Sequence, residues 1–186
     1  MLPKSTPQMS RAELMALMAD RFPDMELPLF CIVGIRGYYK RTMGNPDAND
    51  RAIYDDAIFL LTDNELHAFN ANTDPGKYSP GIAKLKAGIW PVYKFDIHGG
   101  KSAQYPAICQ RAGKVTVTRD GKTGDFTGMF GINIHKGGYK TTSSLGCQTI
   151  PPTQWDRFYK TAERIARGLW GDKFKSQTLT YFLIEQ

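Results

Sequence analysis

Cysteine is scarce in this chain: three in 186 residues, odd in number and far apart, which excludes a disulfide framework. Histidine is equally rare, with three. No Cys-x-x-Cys or His-x-x-x-His pair occurs, so a metal site built from His98, Cys109, His135 and Cys147 is not expected, and neither is any other cofactor. No apolar run approaches the ~18 residues that would span a bilayer. The opening MLPKSTPQMSRAELMALMADRF has no uninterrupted apolar core of the kind a Sec signal peptide needs, so synthesis in a cytoplasm is expected. No repeat, low-complexity tract or linker divides the chain, so residues 1–186 are expected to form one domain and a monomer, with 1–9 flexible. The net charge of +6, from 24 basic and 18 acidic residues, favours anionic partners. The basic residues are scattered, however, and no zinc-finger, helix-turn-helix or RNP pattern is present, so nucleic acid is not an expected partner.

What is there is a globular composition, 41% apolar and 12% aromatic, in a chain long enough to bury a sizeable core. Ser10 to Glu13 is a capping box, and Leu14, Leu17 and Met18 follow at helical spacing, with Met15 and Phe22 widening the stripe before Pro23. LFCIVGI reads as a buried strand. AIFLLTDNELHAFN reads as a hairpin turning at Asp63-Asn64, and KVTVTRDGKTGDF as one turning at Asp120-Gly121. IWPVYKFDIHGG, GMFGINIH (ending on His135) and TLTYFLI add further strands, whereas NTDPGKYSPGIAKLKAG is too rich in Pro and Gly for regular structure. PPTQWDRFYKTAERIARGLWG predicts the clearest helix, capped by Thr153 with Asp156 and closed at Gly171. Its stripe is Trp155, Phe158, Ala162, Ile165, Ala166 and Leu169. The expected class is mainly β, an α+β domain bracketed by two helices.

The chemistry concentrates in GINIHKGGYKTTSSLGCQTI, Gly131 to Ile150. Cys31 and Cys109 have apolar neighbours and read as small buried hydrophobes, but Cys147 lies among Ser, Gly, Gln and Thr. A cysteine attacks carbonyls as its thiolate, which requires an imidazole or a positive environment near neutral pH. His135 at a strand end would be rigidly held, and the glycine-rich segment after it is short enough to fold back towards Cys147. Gly146 lets the backbone turn sharply, and the amides of Leu145, Gly146 and Cys147 can converge on a developing oxyanion.

IHKGG followed by SSLGCQT resembles the active-site signature of the L,D-transpeptidase catalytic domain (YkuD-type): a histidine, glycine, a gap, then Ser/Thr-x-Gly-Cys. The wording of NTDP, GIAKL and GCQTIPP resembles a phage or prophage branch of that family. The chain has His135-Lys136-Gly137 where the family has His-Gly, a shorter gap to the cysteine, and Gln148-Thr149 after it. The resemblance implies a β-sandwich or mixed-sheet core and action on peptidoglycan stem peptides at an L,D-configured bond. It implies Cys147 as acyl-accepting nucleophile and His135 as its base, with Ser144, Leu145, Gly146 and Gln148 shaping the oxyanion and substrate site. The resulting thioester would pass to water, as in a phage-type endolysin, or to an amine, as in a transpeptidase. Such a protein would be made in the bacterial cytoplasm and reach the cell wall by release or delivery.

Other residues are secondary candidates. His98 carries a literal His-Gly and competes with His135 or lines the cleft; Asn133, Arg119 and Tyr105 are candidate substrate contacts. His67 reads as structural or exposed, and Asp55-Asp56 as a poor carboxylate pair, because adjacent strand residues point to opposite faces. The alternative to an enzyme is a basic cell-wall-binding or virion module that retains the fold without catalysis. A papain-like hydrolase is disfavoured because its cysteine precedes its histidine, the reverse of the order here.

Overall fold

A computed structural model describes residues 1–100 and 104–186. In chain order the elements are α1 (Arg11–Arg21), β1 (Phe30–Arg36), β2 (Asp56–Thr62), β3 (Leu66–Ala71), β4 (Ala83–Leu85), β5 (Gly88–His98), β6 (Tyr105–Gln110), β7 (Val115–Arg119), β8 (Phe126–Gly128), β9 (Ile134–Lys136), β10 (Gln148–Ile150), α2 (Pro152–Trp170), a 3-10 segment (Gly171–Ser176) and β11 (Leu179–Glu185). This is an α+β, mainly β domain. None of the described helices is long and apolar enough to cross a membrane.

An eight-stranded mixed sheet runs β10-β9-β6-β5-β11-β1-β2-β3, and a three-stranded sheet runs β4-β7-β8. The apolar run of β1 is buried along its whole length because both faces are covered. Phe30 and Ile32 join the cluster beneath α2, while Cys31, Val33 and Ile35 join the cluster beneath α1. The last strand in sequence, β11, lies at the centre, parallel to β1 and antiparallel to β5. The ends of the large sheet are stitched together just past β3: Asn72 N donates to Thr149 O of β10 (2.9 Å) and Thr149 N to Asn72 O (2.8 Å). A sheet joined at its two ends in this way is curled into a barrel-like wall.

The capping box forms as predicted, with Glu13 N donating to Ser10 Oγ and Ser10 N to the Glu13 carboxylate. The second cap does not form. Pro151 occupies the N-cap of α2 with no side-chain hydrogen bond, and Thr153 falls inside the first turn, because Pro152 already supplies a backbone pre-set for helix. Gly171 ends the helix at φ 57°, as read from the sequence. Leu169 leaves the apolar stripe, 42% exposed, while Trp170 packs against the core instead.

Four strands depart from the sequence reading. β4 forms within the Pro/Gly-rich stretch by pairing with β7. β6 and β10 were not expected, being short and without clear alternation. GMFGINIH is not one strand: the chain leaves the small sheet at Gly128 and joins the large one at Ile134, its Phe130 and Ile132 amides meanwhile donating to Gln110 Oε1 (3.2 and 3.1 Å). The Asp120-Gly121 turn is present (Lys122 N to Arg119 O, 3.0 Å), but β7 and β8 pair only from Val117 and Phe126 outward. Asp120 is instead gripped by both terminal nitrogens of Arg51 at 2.6 and 2.8 Å. Residues 1–9 lie against the barrel: Tyr54 N donates to Met1 O, Tyr39 Oη and Asn70 Nδ2 to Ser5 O, and Gln8 N to Tyr38 Oη.

At the end of β1, Arg36 is wholly buried. Its guanidinium donates to Thr73 O (2.7 Å), Thr73 Oγ1 (3.2 Å) and Leu85 O (3.0 Å), and its Nε lies 3.2 Å from the Asp74 carboxylate. Asp56 beside it accepts from Gly37 N (2.6 Å) and Thr73 Oγ1 (2.7 Å).

Candidate active site

β9 and β10 run side by side and parallel, with Thr149 opposite His135 and Gln148 opposite Ile134. The strand pleat sends His135 and Thr149 to one face and Ile134, Gln148 and Ile150 to the other. One step earlier, Gln148 N donates to Asn133 O (2.8 Å), so Cys147 and Asn133 face the same side as His135. The thiol is half-buried; Asn133 N donates to Sγ (3.4 Å), and Sγ donates to Gly131 O (3.3 Å). Among the described residues no hydrogen bond joins Sγ to the His135 ring. Cys31 and Cys109 are fully buried, as read from the sequence, and burial pushes their thiols up to about 12 and 11.

His135 is 6% exposed. Its Nδ1 lies 2.8 Å from Lys136 O and 3.2 Å from Tyr105 Oη. A carbonyl only accepts, so Nδ1 carries the proton and Nε2 keeps its lone pair, the tautomer a general base requires. A backbone carbonyl therefore fills the orienting role, and no pattern in the sequence could have revealed it. His98 stacks on His135, ring centroids 4.1 Å apart and 12° from parallel. Asn133 Nδ2 contacts His98 Nδ1 at 2.9 Å, and Asn133 Oδ1 accepts from Gln110 N (3.0 Å), which fixes the way the amide points. Thus His98, Tyr105 and Asn133, read as candidate substrate contacts, are gathered around His135.

The motif residues divide. Ser144 Oγ donates to Cys147 O (2.7 Å) and accepts from Gly146 N (3.0 Å), so it sets the turn and removes one of the three amides expected to bind an oxyanion. Among the described residues the amides of Leu145 and Cys147 have no acceptor. Gly146 sits at φ 127°, and a Cβ there would run into the Ala83 carbonyl, so no other residue fits. Leu145 is 70% exposed and with Ser144, Gly76, Lys77, Thr141 and Ser143 lines a groove of about 370 Å³. Gln148 does not reach the site: fully buried, it donates to Gly146 O (3.2 Å) and accepts from Tyr181 Oη (3.1 Å), bracing the turn from behind. Arg119 is not a free carboxylate binder either, because it donates to Gly81 O (2.7 Å) and lies over the rings of Phe126 and Phe130. His67 makes a surface contact with Glu65 at 2.8 Å, and Asp55 and Asp56 are buried within loop-end hydrogen bonds. The loop between His135 and Cys147 is held by the buried Tyr54, whose Oη donates to Gly138 O (2.7 Å).

Burial, then the proximity of His98, holds His135 down at about 4, and burial raises the Cys147 thiol above its usual 9.0. Both shifts disfavour charge, so the resting site contains a neutral thiol and a neutral imidazole. Alkylation of Cys147 by iodoacetamide is therefore expected to accelerate about tenfold per pH unit from pH ~6 to ~9, following the thiolate fraction. A flat rate across that window, measured by peptide mass mapping, would instead reveal a standing thiolate–imidazolium pair. No protein-family model matches the chain, and no curated protein matches it significantly.

Proposed function

We propose that the protein is a cysteine-dependent peptidoglycan peptidase, acting on L,D-configured bonds of stem peptides through a thioester acyl-enzyme. The observation that carries this reading is the pairing of β9 with β10, which sets Cys147 and His135 on one face with the imidazole tautomer fixed by Lys136 O. Rotation of the thiol from Gly131 O towards His135 lets Nε2 take the Sγ proton as sulfur bonds to the stem-peptide carbonyl carbon. The Leu145 and Cys147 amides are available to the oxygen that gains charge. The C–N bond then breaks, and the leaving amine takes the proton from Nε2. Water attacks the thioester, His135 accepts its proton, and the acid departs as the thiol is restored. If an amine replaces water the same intermediate gives transpeptidation. The basic surface, +6 overall, suits an anionic wall polymer.

Mass spectrometry of muropeptides incubated with the wild type and with Cys147→Ala tests the proposal. Loss of a stem-peptide residue or opening of a crosslink, absent with the variant, is the expected result. A D-amino-acid exchange product would identify a transpeptidase. No change with either protein would remove the catalytic reading in favour of a wall-binding module.

A further inference from the structure

We propose that His98 is a positioning residue for His135: tethered by Asn133, its ring presses flat on the base, and the two imidazoles carry at most one positive charge between them. The inference rests on the peptidase reading for its kinetic consequence alone. The stack, at 4.1 Å and 12°, is too close and too parallel for two cations. It is not incidental packing, because a chain of hydrogen bonds builds it: Gln110 N to Asn133 Oδ1, then Asn133 Nδ2 to His98 Nδ1. Tyr105, which contacts Nδ1 of His135, also meets the His98 ring edge-on at 5.4 Å. His135 is thus fixed at its edge by Lys136 O and Tyr105 and on one face by His98.

The charged and titratable groups around the pair come from four elements. β5 supplies Asp96 and β6 supplies Cys109; burial, then Arg111, which follows β6 and is ion-paired with Asp96, lowers His98. β9 supplies Lys136, whose ammonium lies over the Tyr105 ring, while α2 presents Asp156 and Lys160 at the rim of the groove bordering Tyr105 and Lys136. Cys147 completes the set. Among these, His98 is the one in face contact with the base.

The three histidines give three Hε1 resonances, so titration followed by NMR on the full chain reads each ring separately. His98→Phe retains the stack without a charge; His98→Gln removes both. In each, the His135 midpoint is expected to rise by about one pH unit. On muropeptides His98→Gln is expected to lose about tenfold in kcat with KM unchanged, and His98→Phe to recover most of that loss at pH 7. An unmoved His135 midpoint in both folded variants overturns the proposal, whatever the protein acts on. A moved midpoint with no muropeptide cleavage by the wild type would sustain the pairing and reject the substrate.

Discussion

Glutamine in place of His135 is expected to slow muropeptide cleavage by about a hundred- to ten-thousandfold, the usual contribution of a positioned general base. Its side-chain amide can still donate to Lys136 O, as Nδ1–H does now, but nothing remains to take the thiol proton. For a group that acts only as the base, KM should hardly move. Stability should respond in the opposite sense. The folded state keeps His135 neutral down to about 4, against 6.5 for a free imidazole, so its contribution is full above pH 6.5 and fades as pH falls through 4. The wild type should therefore soften between those values, and the variant should soften less. Thermal melts at pH 4.5 and 7 beside the kinetics check both halves. A wild-type rate in the variant would move the base to His98.

Arg36→Met is expected to cost about 3–5 kcal/mol, the range for removing one partner from a buried ionic cluster. For a domain of this size that is a fall in Tm of roughly 6–20 °C. The guanidinium holds Thr73, Leu85 and the Asp74 carboxylate together, joining the end of β1 to the turn after β3 and to β4. Methionine fills much of the volume but leaves those oxygens without donors and the Asp74 carboxylate with Lys84 alone as its cation. The loss should depend on pH. Burial, with Asp74 and Asp55 nearby, already lifts Asp56 to about 7 from 3.8, opposed by the Gly37 amide and Arg36. Removing Arg36 lifts it further. Stability carried by the protonated acid is full below 3.8 and lost as pH rises through 7; the wild type and the variant lose it alike up to pH ~7, and the deficit should widen above that, where only the variant still holds its proton. Urea melts at pH 5 and pH 8 measure it, and equal midpoints for the two proteins would show that the cluster contributes nothing net.

The sequence was most readable where local chemistry decides structure. The Ser10–Glu13 box, the Asp63-Asn64 hairpin and the continuous run of β1 each carry their signal within a few residues. β4 and β10 do not, because strands of three residues exist only through partners distant in sequence, β7 for one and β9 for the other. In the site, Cys147 and His135 were visible as residue types in an unusual setting. For Gln148 and Arg119 polarity says nothing about direction: one braces the Gly146 turn from the core and the other lies over two phenyl rings. Lys136 O and Gly131 O were invisible, since every residue has a carbonyl.

The central place of β11 has a consequence for synthesis. Chains emerge from the ribosome in order, and pairing between distant segments is slow. Until β11 has been made, β5 and β1 have no common neighbour, and the two halves of the large sheet can meet only at the Asn72–Thr149 bridge. Tyr181, on that strand, holds Gln148, which in turn holds the Gly146 carbonyl. The turn that presents the thiol is therefore among the last features to set, and a nascent chain carries its Cys147 for some time before the turn around it exists.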